Sequence, residues 1–262
     1  MIHTPLLRSR KFRHRSLALS VTLFAATLAG AADEWPELTI EDQGRQAAAK
    51  IDAATDQTRE AVDKLELPGG SGLEAELWAA EPMLANPVAF DFDEQGRLYV
   101  AETYRYGTST LDIRSYMPML EHDMAFRTIE ERAAGIEKIF GDDARKLEVE
   151  SERVRLVQDT DGDGVADASS EYATGFNTTL DGIASGVLAR NGELYLTNIP
   201  SLWKLEGIDD EGRAKSRTEV LRGFGVHFSF TGHDFHGLAV GPDGKLYFTI
   251  GDRGAVVEGP DG

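Results

Sequence analysis

Residues 232–254 read GHDFHGLAVGPDGKLYFTIGDRG, and their pattern recurs elsewhere in the chain. Two short apolar runs flank Gly241-Pro242-Asp243-Gly244, a tetrapeptide typical of tight turns, which predicts a β-hairpin. Because an antiparallel hairpin brings its two open ends together, five titratable residues are predicted to meet at the end opposite the turn. They are His233, Asp234, His236, Asp252 and Arg253.

The hairpin pattern recurs at three places along the chain. Each copy has an apolar run, a turn and then the motif Gly-x-Leu-Tyr, which begins at Gly96, Gly192 and Gly244. The interval between the last two glycines leaves room between their hairpins for two further strands. Several short strands that recur with a period of about 50 residues are typical of a β-propeller blade.

A second internal match supports the repeat. Residues 154–176 align with residues 202–224 without a gap, and the loop that follows places His233 opposite Asp181. We therefore predict an all-β fold, an incomplete β-propeller of about two and a half four-stranded blades over residues 73–262. An apolar stripe at helical spacing from Phe126 to Phe140 predicts a helical insertion at about residues 112–148.

Residues 1–31 have the composition of a signal peptide. Five basic residues precede the apolar run Leu17 to Ala29, and Ala29-Gly30-Ala31 fits a cleavage site. The run is shorter than the roughly 20 residues that span a bilayer, so we expect export to the periplasm or cell surface, with an uncleaved anchor as the alternative. Residues 32–72 are predicted to hold a lead-in helix, at 39–66, and a glycine-rich linker.

Charge and cysteine content exclude several classes of function. Removal of residues 1–31 leaves 22 of the 27 Lys+Arg residues against 45 Asp+Glu, a net charge of −23. A field of this sign repels phosphate backbones, so we expect no nucleic-acid partner, whereas it suits divalent cations. The chain has no cysteine, which excludes disulfides, thiolate metal sites and covalently attached haem within it.

The segment Asp159–Asp167 has the spacing of a calcium loop. Carboxylates stand at positions 1, 3, 5 and 9, with glycine at position 6. The predicted ligands are Asp159, Asp161, Asp163, Val165 and Asp167. Ser170 occupies position 12 where a glutamate is usual, which predicts weak binding, and the alternative is an acidic turn without an ion.

Three interpretations of the histidine cluster are open from the residues alone. The residues could be hydrogen-bonded groups at the rim of the fold. His233 could be a general base oriented by a carboxylate, because imidazole titrates near neutral pH. Finally, the two histidines and an acid could hold a metal ion.

The chain from about Leu73 to Gly254 resembles the haem-binding "membrane-bound dehydrogenase" propellers of the PVC bacterial group, which are related to the glucose/sorbosone dehydrogenase family. The matching segments are Asn86-Pro87-Val88, Leu98 to Glu102, Val149 to Arg153, the Asp159–Asp167 loop, Gly232 to Gly237 and Ile250 to Gly254. The resemblance implies oxidation of a sugar or alcohol with pyrroloquinoline quinone (PQQ). In that reaction His233 would take the hydroxyl proton while hydride passes to the quinone, and calcium can polarise the quinone.

The sequence also departs from the glucose/sorbosone dehydrogenase family, and the PVC-group proteins share this departure. Enzymes of that family usually continue from the histidine with Gly-Gly-Arg, whereas Asp234-Phe235-His236 follows here. A six-bladed ring at about 50 residues a blade needs on the order of 300 residues, so we expect that the chain is an N-terminal fragment and is inactive alone. The resemblance implies a haem c domain downstream in the full-length parent. The alternatives are a propeller that binds carbohydrate or a protein partner without turnover and, less well supported, a metal-dependent lactonase-like propeller.

Overall fold

The computed structural model describes residues 34–41 and 51–259, which form a mainly β structure with antiparallel sheets and a few helices. The helices are α1 (Ile51–Asp63), α2 (Leu120–Ala125) and α3 (Ile129–Phe140), with 3-10 helices at Ile113–Ser115, Met117–Met119 and Gly141–Glu148. The strands are β1 (Pro87–Phe92), β2 (Leu98–Glu102), β3 (Glu152–Gln158), β4 (Ala168–Phe176), β5 (Ala184–Arg190), β6 (Glu193–Asn198), β7 (Ser201–Glu206), β8 (Ser216–Phe224), β9 (Phe235–Val240), β10 (Leu246–Ile250) and β11 (Ala255–Glu258). No helix in these ranges has the length and apolar character needed to cross a membrane. All of these elements belong to the compact unit Pro36–Gly262.

Three antiparallel sheets follow the order of the chain. The first is the meander β1-β2-β3-β4, the second is the meander β5-β6-β7-β8 with β11 added beside β8, and the third is the hairpin β9-β10. The ungapped internal match places the first and last residues of β4 opposite the first and last residues of β8. Two four-stranded units and a hairpin are therefore present, and the described residues contain no closed ring of sheets.

The hydrophobic core lies between successive sheets. One cluster fills the space between the first and second sheets and includes Tyr99, Leu156 and Leu196. Another lies between the second sheet and the β9-β10 hairpin, where the rings of Phe224 and Phe235 stack with centroids 4.1 Å apart. Because burial of apolar area is the main favourable term in folding, these clusters hold the sheets face to face.

The predicted lead-in helix at residues 39–66 is shorter in the structure. Residues 34–41 are not helical, and the described part of α1, Ile51–Asp63, ends before residue 66. The side chain of Ile40 is buried, its N–H donates to Asp143 Oδ2 at 2.9 Å and its carbonyl accepts from Lys146 Nζ at 2.6 Å. This segment therefore packs on the helical insertion instead of starting a helix. The predicted signal peptide at residues 1–31 lies outside the described residues, as do residues 42–50.

Helices fill the insertion between β2 and β3. The hydroxyl of Thr128 caps α3 by accepting from the N–H of Glu131 at 3.2 Å, and α3 ends at Gly141, whose φ of +51° suits glycine. Ile129, Ile136 and Phe140 are buried. The apolar stripe of α3 is thus part of the core.

Two buried arginines fasten the insertion to the sheets. The Arg105 guanidinium donates to five backbone carbonyls at 2.7–3.0 Å, some at the end of the insertion and some in the loop before β5. The acceptors are Ser109, Leu147, Glu150, Thr178 and Asp181. Arg132 of α3 donates to the carbonyls of Leu180 and Gly225, each at 2.5 Å. The planar guanidinium suits this role because its donors point in several fixed directions.

Candidate functional site

The open end of the β9-β10 hairpin brings two predicted site residues into contact. The register pairs Phe235 with Ile250, so that the residues preceding β9 lie beside those following β10. His233 Nδ1 lies 3.1 Å from Asp252 Oδ1, and the side chains are 54% and 46% exposed. With Nδ1 engaged by the carboxylate, Nε2 of His233 is left for a ligand, since it has no hydrogen-bond partner among the residues that the structure describes.

The Ser229 side chain also interacts with Asp252. Burial raises the pKa of Asp252, but hydrogen bonds from the side chains of Ser229 and His233 outweigh that effect and lower it. Ser229 has a φ of +48°, a conformation that costs a non-glycine residue about 1–3 kcal/mol. Ser229 therefore interacts with Asp252, and Asp252 in turn contacts the imidazole of His233.

Asp234 and Arg253 form a second pair, and it is buried. Arg253 Nε lies 3.4 Å from Asp234 Oδ1, and both side chains are almost fully excluded from solvent. Asp234 Oδ2 accepts from the N–H of Gly232 at 3.2 Å, and Arg253 donates to the carbonyl of Phe230 at 3.3 Å. A Cβ on Gly182 would collide with the Asp234 carboxylate, so glycine is required there. This pair fixes the backbone beneath His233 and does not face solvent.

His236 is separate from both pairs. Its Nε2 lies 3.1 Å from the carbonyl of Gly232, and the residue is half-buried. Among residues 34–41 and 51–259, no group of three potential metal ligands contains His233 or His236. The five predicted site residues are therefore divided into an exposed pair, a buried pair and a histidine bound to the backbone.

Several buried charges near these pairs were not predicted as site residues. Burial raises the pKa of Asp123 and that of Asp181, while burial and then the charge of Arg253 lower the pKa of Arg132 to about 9. Arg132, Asp181 and Arg253 help to line a small cavity of about 20 Å³, room for about one water molecule. Only Asp181 carried a signal in the sequence, its alignment opposite His233.

An open cleft of about 590 Å³ is lined in part by Thr231, two residues before His233. The ring of Phe230 contacts both Arg114, which lines the cleft, and His233. Its centroid lies 5.1 Å from Arg114 Cζ and 5.2 Å from the His233 ring centroid. The described lining is rich in hydroxyl, carboxylate and aromatic groups, the set that binds polyhydroxylated ligands. It comprises Thr39, Glu41, Tyr106, Gly107, Thr110, Asp112, Arg114, Ser115, Tyr116 and Thr231.

The residues around His233 do not fit PQQ, which carries three carboxylates. A tricarboxylate needs cations that are free to pair with it. Arg253 and Arg132 are buried on other partners. Arg114 is exposed, but both oxygens of Asp112 accept from its guanidinium, at 2.7 and 2.8 Å. These three arginines, among the described residues around His233, are therefore not free to pair with the carboxylates of the quinone.

Three of the five predicted calcium ligands come together. One carboxylate oxygen each from Asp159, Asp161 and Asp163 lies within 4.8 Å of the others. Asp167 instead accepts from the hydroxyl and N–H of Thr160 at 2.7–2.9 Å, and these hydrogen bonds lower its pKa. Val165 donates its N–H to Asp163 Oδ1 at 2.8 Å. The structure thus supports an aspartate triad that could hold a metal ion.

The triad and the His233–Asp252 pair lie at opposite ends of the sheets. β3 starts at Glu152, whose carboxylate accepts from the N–H groups of Arg105 and Ala184 near the buried arginines. The triad follows the other end of β3, which is about 20 Å long at 3.3 Å per residue. An ion at the triad is too far from His233 to act on a bound substrate.

Two substitutions at Ser229 distinguish the effect of its hydroxyl group from the effect of its strained backbone conformation. Ser229→Ala and Ser229→Gly both remove the hydrogen bond to Asp252, so we expect both to raise the pKa of Asp252, as measured by carboxyl NMR titration. Glycine accepts a φ of +48° without strain, so Ser229→Gly is expected to be more stable than Ser229→Ala by about 1 kcal/mol. An unchanged pKa in both variants would contradict the role given to the hydroxyl.

The family comparison covers these sheets, the insertion and the site together. Residues 57–262 match the family model described as a domain of unknown function (DUF7133). A search of curated proteins and a search of solved structures each found no match. The match includes both His233 and the aspartate triad.

Proposed function

The chain belongs to the DUF7133 family, and on that premise we propose that it is an exported propeller-type domain in which His233 is the general base for a sugar or alcohol hydroxyl. The observation that carries the proposal is the 3.1 Å contact between His233 Nδ1 and Asp252 Oδ1. A carboxylate on Nδ1 fixes the tautomer in which Nε2 accepts a proton, and it stabilises the imidazolium that forms. The half-exposed ring leaves Nε2 accessible to a substrate.

The surroundings of His233 support a polyhydroxylated substrate. The neighbouring cleft offers Tyr106, Asp112 and Thr231, which can donate to or accept from sugar hydroxyls. A sugar bound there would reach His233 past the ring of Phe230. The buried Asp234–Arg253 pair fixes the backbone on both sides of the exposed pair. Because the three arginines near His233 are engaged by other partners, we assign this chain the proton acceptor and no step on PQQ.

The propeller part of the proposal is supported by the repeated meanders. Two four-stranded antiparallel units follow each other, with β4 and β8 at equivalent positions of the internal match. A third hairpin with the same Gly-x-Leu-Tyr motif packs on the second unit. Units of this kind that pack face to face are the building blocks of propellers. Export follows from the predicted signal peptide at residues 1–31.

We also propose that the aspartate triad binds calcium as a structural ion. In the equivalent turn of the second sheet, an arginine of the turn itself balances an aspartate charge, because Arg213 Nε donates to Asp209 Oδ2 at 3.0 Å. The turn after β1 also contains its own arginine, since Arg97 Nε donates to Asp93 Oδ2 at 2.6 Å. In the triad loop the position of Arg213 is taken by Val165, and residues 159–167 contain no lysine or arginine. An external cation would supply the missing positive charge.

Replacing Val165 with arginine tests this idea. Val165→Arg copies the self-neutralised turn, so we expect the wild type to bind calcium with a Kd of about 10⁻⁴–10⁻³ M and the variant to bind at least about tenfold more weakly. Isothermal titration calorimetry measures both values. Asp161→Asn should also lose binding, whereas Asp209→Asn, in the turn that already contains its arginine, is the matched control. Equal affinity in Val165→Arg and wild type would contradict the proposal.

An activity assay tests the function assigned to His233. The full-length protein is supplied with calcium and PQQ and is screened for dye reduction with sugars and alcohols, with His233→Gln beside the wild type. Quinone-dependent turnover that falls about 100-fold or more in His233→Gln supports the proposal. His122→Gln, on α2 of the insertion, is the matched histidine control.

Two other outcomes overturn the proposal. Sugar binding without turnover, equal in both proteins, would favour the carbohydrate-binding alternative. Hydrolysis of lactones that is lost with a chelator and needs no quinone would favour the lactonase-like alternative.

A further inference from the structure

The segment of residues 36–41 forms one wall of the open cleft of about 590 Å³. Exposure alternates from residue to residue along this segment, as expected for an extended chain. Ile40 points inward and is 1% exposed, whereas Thr39 and Glu41 are exposed and line the cleft. The alternation therefore presents the carboxylate of Glu41 to the cleft.

Three hydrogen bonds to the helical insertion hold the backbone of this segment. The N–H of Leu38 donates to the carbonyl of Ile139 at 3.0 Å. The N–H of Ile40 donates to Asp143 Oδ2 at 2.9 Å, and the Ile40 carbonyl accepts from Lys146 Nζ at 2.6 Å. Because Lys146 Nζ also lies 3.0 Å from Asp143 Oδ1, this lysine already has a carboxylate partner. The backbone just before the carboxylate that lines the cleft is thus held in place.

The charged side chains of the described lining are Glu41, Asp112 and Arg114. Asp112 and Arg114 balance each other, since the guanidinium donates to both carboxylate oxygens, and these hydrogen bonds lower the pKa of Asp112. Among residues 34–41 and 51–259, no basic side chain lies within ion-pair distance of Glu41. The carboxylate of Glu41 is therefore the charge of the described lining that is left unbalanced.

Two tyrosine rings belong to the same lining. Burial raises the pKa of Tyr116, and the nearby charge of Glu41 raises it further. The Tyr116 ring packs edge-on against Phe140, with centroids 5.3 Å apart, while Tyr106 is 53% exposed. A carboxylate attracts an ammonium ion by charge, and aromatic faces attract it through cation–π interactions. The lining thus combines the groups that recognise a protonated amine.

We propose that the cleft selects a cationic hydroxylated substrate, an amino sugar or an amino alcohol, and that Glu41 binds its ammonium group. This inference rests on the function proposed above, in which a hydroxyl of the substrate reaches His233, and it narrows the substrate class. An anionic sugar is disfavoured, because Arg114 of the lining is already paired with Asp112. The negative net charge of the mature chain also attracts cations and repels anions.

Three sugars of similar size test this selectivity. Binding of glucosamine, glucose and glucuronate to the full-length protein is measured by isothermal titration calorimetry at about pH 6, where the amine is protonated. Glucosamine is expected to bind about tenfold more tightly than glucose, which lacks the charge, and glucuronate is expected to bind most weakly. Glu41→Gln should remove the preference for glucosamine and leave the affinity for glucose nearly unchanged.

Glu37→Gln is the matched control on the same segment. Glu37 is exposed and does not belong to the described lining of the cleft. It lies about 13 Å from Glu41 along an extended chain, which exceeds the Debye length of about 8 Å at physiological ionic strength. This variant should therefore keep the wild-type preference. The inference is overturned if no sugar binds, if glucosamine and glucose bind equally, if glucuronate binds most tightly, or if the preference survives in Glu41→Gln.

His233→Gln distinguishes this inference from the proposed function. Binding requires no proton transfer, so this variant should still prefer glucosamine. If the preference is found but the wild type turns over no sugar, the role given to His233 fails and the selectivity stands. If the wild type turns over glucose and glucosamine with equal kcat/KM, the general base can stand and the selectivity fails.

Discussion

Replacing Arg105 with lysine is expected to lower the free energy of unfolding by about 3–5 kcal/mol. The guanidinium donates to five carbonyls from 2.7 to 3.0 Å away, and its side chain is fully buried. A lysine ammonium has three donors on one atom and cannot reach carbonyls on opposite sides of the site. At least two buried carbonyls would lose their partners, and each such loss costs about 1–3 kcal/mol.

Denaturant unfolding followed by circular dichroism measures this loss. Arg114→Lys is the matched control, because Arg114 is exposed and its ion pair is with the nearby Asp112. The control should unfold at nearly the wild-type midpoint. If Arg105→Lys and Arg114→Lys unfold together, Arg105 does not tie the insertion to the sheets.

Asp252→Asn is expected to lower turnover by about 10²–10⁴-fold if His233 is the general base. The asparagine amide can donate to Nδ1, and His233 would then carry its proton on Nε2, where it cannot accept one from a substrate. The imidazolium would also lose its neighbouring negative charge. Asp252 reaches the substrate only through His233, so KM should change little while kcat falls.

Steady-state kinetics over a range of pH check this prediction. Asp243→Asn is the matched control, since Asp243 lies at the turn of the same hairpin, remote from the open end, and the substitution removes the same charge. A loss confined to KM, or an equal loss in both variants, would mean that Asp252 does not orient a base.

The local pattern of the sequence was sufficient to predict the hairpins and to place His233 near Asp252. A turn such as Gly241-Pro242-Asp243-Gly244 fixes which residues pair near it, so the residues at the open end follow from the sequence to within one position. A register shift between Tyr247 and Thr249, which the sequence does not reveal, decides that His233 lies against Asp252. The ungapped internal match of residues 154–176 with 202–224 aligns β4 with β8 for a similar reason, because the two units repeat the same local pattern. These features depend on interactions between residues close in sequence.

The buried arginines could not be predicted in this way. Arginine usually lies at the surface, and the carbonyl acceptors of Arg105 are up to 76 residues away in the sequence. Any residue can supply a carbonyl, so these partners leave no pattern to read. The predicted helix at residues 39–66 wrongly includes Ile40 for a similar reason, because the contact of Ile40 with Asp143 joins residues 103 positions apart.

The buried Arg105 and Arg132 also constrain the order in which the chain can fold during synthesis. Arg132 emerges from the ribosome well before its acceptor Gly225, which lies 93 residues later. The helices of the insertion can form early, because their hydrogen bonds are local, but they can dock only after the second sheet and the loop beyond it are made. Until then the guanidinium groups of Arg105 and Arg132 must stay hydrated, and nascent chains that end before Gly225 should leave the insertion sensitive to protease.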